Sequence, residues 1–152
     1  MNLESAWLAG IWDADGNISL VKRAGIVVPS CSFTNTNKKL VDNVERILTA
    51  NGVAFNTSYQ DRGERKNAKP AWNLKIEGRP RCRVFLPLIT DLLVGKQEQA
   101  KLVAKWLKLP NAKSIGGGRG VGSVGVNYPD GYWSIRDEVQ KLNARGRNSI
   151  KP

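Results

Sequence analysis

Apolar residues change their period several times along this chain, and each change marks an element. Over 3–14 they follow helical spacing, with side-chain size sorted by face. Trp7, Leu8, Ile11 and Trp12 fall on one side and predict packing on a sheet. Ala6, Ala9, Gly10 and Asp13 fall on the other, where small residues invite close approach of a second helix backbone. Gly16 predicts the helix end. Period-two alternation then takes over. In a strand over 17–23, Ile18 and Leu20 oppose Asn17, Ser19, Val21 and Arg23. In a second strand over 26–35, Cys31 and Phe33 oppose Ser30, Ser32 and Thr34, and Ala24-Gly25 between the two is a hairpin signal.

Helical spacing returns over 38–50, with Asn37 as N-cap, Leu40, Val41, Val44, Ile47 and Leu48 apolar, and Asn51-Gly52 as the stop. Two more strands follow, over 53–60 and 71–77, around a basic loop. Phe55 and Tyr59 alternate with Asn56, Ser58 and Gln60; Trp72, Leu74 and Ile76 alternate with Asn73, Lys75 and Glu77. All four strands thus predict an apolar core face and a face of short polar and charged groups. Helices over 79–93 and 96–107, a Gly-rich loop over 113–125, a last helix over 129–144 and a basic tail complete the chain. The GGGRGVG run follows no strand and leads to no GK[ST], so it is no phosphate-cradling loop of the nucleotide-binding kind. The order helix, two strands, helix, two strands, helices predicts an α+β fold. Its 152 residues suit one domain, with a core over 1–110, the Gly-rich loop and last helix over 111–145, and the tail over 146–152.

Charge changes the picture. Lys and Arg total 24 against 13 acidic residues, a net charge of +11, the electrostatic footprint of a polyanion binder. Polar strand faces of this composition suit the reading of base edges. Histidine is absent, which excludes a His general base, a Ser-His hydrolase and His-ligated zinc or iron. A bound metal would be held by oxygen, which favours Mg²⁺ or Ca²⁺. Cys31 and Cys82 are too few for a disulfide framework or zinc finger and are expected to be reduced and buried. No apolar run spans a bilayer, so no membrane partner is expected, and an intracellular setting, a prokaryotic cytoplasm or an organelle, is expected. Asp13 and Asp15 close the first helix at the end where the macrodipole disfavours carboxylates, and an acid held there calls for a counter-charge.

Those two acids sit in Leu8–Gly16, LAGIWDADG, which closely resembles the LAGLIDADG motif of the homing endonucleases; seven of nine letters match. The element order is similar to that family as far as residue 107. The resemblance implies a saddle-shaped antiparallel sheet in the DNA major groove and motif helices packed in pairs. With one motif per chain it implies a homodimer, with Ala6, Ala9, Gly10 and Asp13 at the symmetry axis and a long pseudo-palindromic site. The implied activity is Mg²⁺-dependent cleavage of both DNA strands, leaving short 3′ overhangs; Ca²⁺ would bind without supporting it.

By the same resemblance, Asp15 is the metal-binding carboxylate and the Ala14 carbonyl a further ligand. Lys96 matches the basic active-site residue, and Asn35 a polar residue on the catalytic water network, with Lys39 one turn on. A register shifted by one would put Thr36 and Leu40 there, and an apolar Leu40 is a poor phosphate partner. Asn17, Ser19, Arg23, Ser30, Ser32, Thr34, Asn73, Lys75 and Glu77 would read bases. Arg62, Arg65, Lys66 and Lys69 would contact phosphates. Alternatives within the fold are an RNA-binding intron maturase and a non-cleaving DNA-binding protein; a structural basic protein is the third.

Overall fold

The computed structural model describes residues 2–61, 69–114 and 125–148. Along them run α1 (Leu3–Asp15), β1 (Gly16–Arg23), β2 (Ile26–Asn35), α2 (Lys38–Ala50), β3 (Asn56–Gln60), β4 (Ala71–Glu77) and α3 (Arg79–Ile89). After a 3₁₀ turn (Thr90–Leu92) come α4 (Gln97–Leu107), the short strands β5 (Lys113–Ser114) and β6 (Val126–Asn127), and α5 (Tyr132–Asn148). The expected α+β order αββαββα with C-terminal helices is thus the order of the chain. Strands β1 to β4 form one antiparallel sheet in the order β1-β2-β4-β3. Ile18, Leu20, Cys31, Phe33, Leu74 and Ile76 point to the helices and join one buried cluster with residues of α1 to α5. No helix among the described residues is long and apolar enough to cross a membrane.

Helix α1 buries Ser5, Leu8, Ala9 and Trp12, the i, i+3, i+4, i+7 stripe of a single face. The two faces expected from side-chain size are therefore rotated. Ala9, expected at a symmetry axis, is 1% exposed and belongs to this chain's own core. Trp7 and Ile11 are only partly buried, and Gly10 is exposed. Trp12 sits at the centre, its ring 5.8 Å from Phe33 and 4.7 Å from Phe85, and its indole N–H donates to the Asn17 carbonyl. That packing explains Gly16 better than a left-handed cap does. Gly16 is extended (φ −87°, ψ 167°), but a Cβ there would lie 2.4 Å from Trp12 Cδ1 and 2.8 Å from Trp12 Cα. Gly16→Ala is expected to lower stability by about 1–3 kcal/mol through this overlap. A thermal melt of the variant checks it, and an unchanged midpoint would show that the helix end can yield.

The two edge strands are treated differently. β1 is covered by α5, whose Gln140 and Asn143 side-chain amides donate to the Leu20 and Ile18 carbonyls. β3 has no buried residue, contrary to the expectation of an apolar core face: it is the outer strand, and Thr57 on it meets α2 through the Glu45 carboxylate; Val53, expected to begin it, is instead buried against the end of α2. Where β4 stops, β2's free edge finds other partners. Gly78 N–H donates to the Pro29 carbonyl, and Val27 N–H donates to the Tyr132 hydroxyl at 2.7 Å. Tyr128 donates to the Gly25 carbonyl in the turn between β1 and β2, and Lys22 lies over the Trp133 ring. The C-terminal segment thereby braces that hairpin. Three expectations change at the chain's end. The margins of the Gly-rich stretch pair as β5 and β6; the last helix starts at Tyr132, after Gly131 at φ +86°; and its backbone runs to Asn148. Residues 115–124 and 149–152 lie outside the described residues.

Candidate active site and nucleic-acid interface

The puzzle of two acids at one helix end is resolved separately for each. Asp13 is held by backbone: its carboxylate accepts from Val94 N–H at 2.8 Å, Gly95 N–H at 3.1 Å and Lys96 N–H at 3.0 Å. These three consecutive donors form a small anion-binding nest at the start of α4, a counter-charge supplied by amides. The Lys96 ammonium also comes back to the same place, donating to the Asp13 carbonyl at 2.5 Å. Burial pushes the Lys96 pKa below its usual value, and the nearby Asp13 and Asp15 carboxylates oppose that shift. Asp13 thus fastens the lysine-bearing loop to the end of α1.

Asp15 is exposed. One oxygen accepts from the Asn35 side-chain amide at 3.1 Å, and the Asn35 side-chain oxygen Oδ1 accepts from Asn37 N–H at 2.7 Å. Asn37 in turn caps α2 through Lys39 N–H. The Ala14 carbonyl follows two that are occupied, Trp12 O by Gly16 N–H and Asp13 O by the Lys96 ammonium. It is one of the orphan carbonyls that a helix leaves at its end. An exposed carboxylate and a helix-end carbonyl form an all-oxygen donor set, which suits a hard divalent cation. Among the described residues no group of three acidic, Cys or His side chains could hold a metal by itself. A Mg²⁺ ion is commonly held through one or two carboxylates with water filling the rest, so one Asp fits that pattern. Asn35 is bonded to Asp15, and Lys96 reaches the same helix end at the Asp13 carbonyl. Lys39 follows on the same turn, its N–H bonded to Asn37, and its side chain lines a groove with Lys38, Tyr59 and Trp72.

The sheet face away from the helices carries most of the expected base readers. Asn17, Arg23, Ser32, Thr34, Asn73, Lys75 and Glu77 are exposed or half-buried there. Ser19 and Ser30 are not free: they are 7% and 6% exposed, Ser19 beside the α5 amides and Ser30 donating to Glu77. Arg23 and Glu77 face each other across the sheet in a two-bond pair, at 2.9 and 2.7 Å. Arg23 holds the Glu77 carboxyl below its usual pKa, against some desolvation. A depressed carboxyl pKa adds stability above the unfolded value, near 4.5, that is lost as pH falls through the folded one. An NMR titration should find Glu77 titrating late on acidification, and Arg23→Ala should return it to the ordinary range. Arg62, Arg65 and Lys66 lie outside the described residues, while Lys69 is exposed beside the groove.

Residues that the sequence does not single out are Tyr128, Tyr132, Gln140 and Asn143, whose polar tips hold β1 and β2 from a distant segment. Gln140 and Asn143 lie on α5, while Tyr128 precedes that helix and Tyr132 opens it, so no single periodicity links the four.

Comparison with solved structures gives the same fold. The homing endonuclease I-CvuI in complex with its target, in the presence of calcium, superposes with a TM-score of 0.59 at 22% identity, over 93% of this chain and 95% of that one. I-CvuI with the I-CreI target in the presence of magnesium, its DNA not cleaved, gives 0.57 at 22% identity over the same shares. The group I intron-encoded homing endonuclease I-CeuI complexed with DNA gives 0.53 at 16% identity, over 71% of this chain and 55% of that one. No curated protein sequence matches. The sequence model of the LAGLIDADG-like domain matches residues 2–106, which include α1, its two acids and all four strands of the large sheet. The chain therefore belongs to the LAGLIDADG-like domain family and has the fold of the LAGLIDADG homing endonucleases.

Proposed function

We propose that this protein is a site-specific double-strand DNA endonuclease that acts as a homodimer on a pseudo-palindromic site and leaves short 3′ overhangs. The observation that carries this reading is the exposed Asp15 carboxylate, gathered with Asn35 and Lys96 at the end of the motif helix. A binding module has no need of a carboxylate facing phosphate, where it repels the ligand. Asp15 and the Ala14 carbonyl would hold Mg²⁺, which when bound supplies an activated water and neutralises charge at phosphorus. Lys96, fixed by Asp13, stands ready to offset negative charge on the leaving oxygen, and its lowered pKa makes it a readier proton donor. Asn35 orients Asp15. The polar sheet face reads bases, and the +11 charge draws the duplex in with a steep dependence on salt.

The second copy docks on the free face of α1. Leu3 there is 81% exposed, Val94 next to the Asp13 nest is 90% exposed, and a side chain at Gly10 would meet nothing within this chain. Two helices crossing there would bring two Asp15 carboxylates together, one for each strand. Sedimentation is expected to give a dimer, and Gly10→Leu a monomer of unchanged fold.

The test is selection of cleavable sites from a randomised duplex library in Mg²⁺. A single pseudo-palindromic site cut on both strands is the expected result, with Ca²⁺ supporting binding only. Binding to a selected duplex without any cut product would instead assign a non-cleaving regulator, and tight binding of structured RNA alone a maturase.

A further inference from the structure

The groove lined by Lys39 has chemistry of its own. Thr36, Lys38, Lys39, Tyr59, Lys69 and Trp72 line an open surface groove of about 640 Å³. It lies on the opposite side of the sheet from the base-reading residues, because Tyr59 and Trp72 pair across strands and alternate with Ser58 and Asn73. Tyr59 is 55% exposed, its ring 5.4 Å from the half-buried Trp72. A tyrosine so exposed on an otherwise polar strand, backed by a second aromatic ring, has one face open for stacking.

The charge is equally one-sided. Among the described residues Lys38, Lys39 and Lys69 line the groove and no carboxylate does; Lys38 lies 5.9 Å over the Trp72 ring and pairs with Asp42 one turn on. The N-terminus of α2 adds its positive dipole end at the same wall. Aromatic rings beside mobile ammonium groups suit a ligand that alternates flat π-faces with phosphates. A duplex keeps its bases stacked on one another and offers no free face to Tyr59.

We propose that this groove binds single-stranded nucleic acid, one base stacking on Tyr59 and the flanking phosphates meeting Lys39 and Lys69. The site is separate from the duplex-reading face. It stands on the aromatic–lysine arrangement rather than on cleavage, so it survives or fails independently of the endonuclease reading.

The experiment uses the full chain in EDTA and low salt, with fluorescently labelled oligo(dT), oligo(U) and an abasic oligomer of the same length. Anisotropy should show Tyr59→Ala weakening both base-bearing oligomers about tenfold, with Tyr59→Phe close to the parent. The abasic oligomer should bind Tyr59→Ala and the parent alike, since only the phosphates engage. Oligo(U) and oligo(dT) differing in affinity would tell an RNA site from a DNA site. Equal losses for base-bearing and abasic oligomers would reduce the groove to a charged surface and overturn the proposal. So would no loss at all, or complete displacement of the oligomer by one equivalent of random duplex. Binding of that duplex should be unaffected by Tyr59→Ala, which also shows that the variant is folded.

Discussion

Asp15→Asn is expected to abolish DNA cleavage, slowing it by about a thousandfold or more, while binding of the cognate duplex stays within about a fewfold of the parent. The two effects separate because of where Asp15 sits. It is exposed at the end of α1, outside the buried cluster, so its replacement removes no core contact. The isosteric amide keeps an oxygen that can accept from the Asn35 amide, so the local hydrogen bond survives. What is lost is the negative charge, and with it the attraction for a divalent cation. Removing one preorganised charge at a phosphoryl site withdraws several kcal/mol of transition-state stabilisation. Binding rests on different residues, across the sheet face and the basic surface, and loses only a repulsion. Cleavage of a selected site in Mg²⁺ and its binding in Ca²⁺ measure both. If the variant cuts at the parent's rate, Asp15 does not hold the metal.

Much of the frame that carries these groups was legible in local pattern. The bounds of α2 follow from Asn37 and Asn51-Gly52, and its observed cap uses the Asn37 side chain as that reading requires. β2 and β4 begin and end where their alternation does. The faces of α1 were less legible. A stripe of small residues identifies a close contact but not with what, and Ala9 turned out to meet its own sheet while Gly10 faces out. Alternation likewise assigned Ser19 and Ser30 to the polar face correctly. It carried no information that α5 and Glu77 would cover them, since those partners lie more than 40 residues away.

The candidate site divides in the same way. Asp15, Asn35 and Lys96 were singled out by the resemblance of LAGIWDADG and the element order to the LAGLIDADG family. Lys39 was placed one turn from Asn35 by the same resemblance; that its side chain also lines a groove with Tyr59 and Trp72 depends on the distant strands β3 and β4. The nest around Asp13 was invisible to any local reading. An acid at a helix end and a Val-Gly-Lys turn have no pattern in common until the fold places them side by side.

That nest sets the second large effect. Asp13→Ala is expected to lower stability by about 2–3 kcal/mol, since hydrogen bonds to a charged group are worth about 1.5–3 kcal/mol each and three that share one carboxylate do not add in full. Val94, Gly95 and Lys96 would each lose their N–H acceptor, and the loop between the 3₁₀ turn and α4 would come free of α1. Lys96 is the functional casualty. Its ammonium is placed by the Asp13 carbonyl, which remains in the variant, and by a backbone anchored through the carboxylate, which does not. Cleavage should therefore fall by roughly a hundredfold even at temperatures where the variant is fully folded, because a displacement of the order of 1 Å in a catalytic group has that effect. Asp13→Asn keeps one acceptor oxygen for the nest and should recover part of both losses. The comparison of melting curves with single-turnover cleavage at saturating protein distinguishes the two contributions. A variant that melts early but cleaves at the parent's rate when folded would mean that Lys96 reaches its position without the nest, and that Asp13 serves the fold alone.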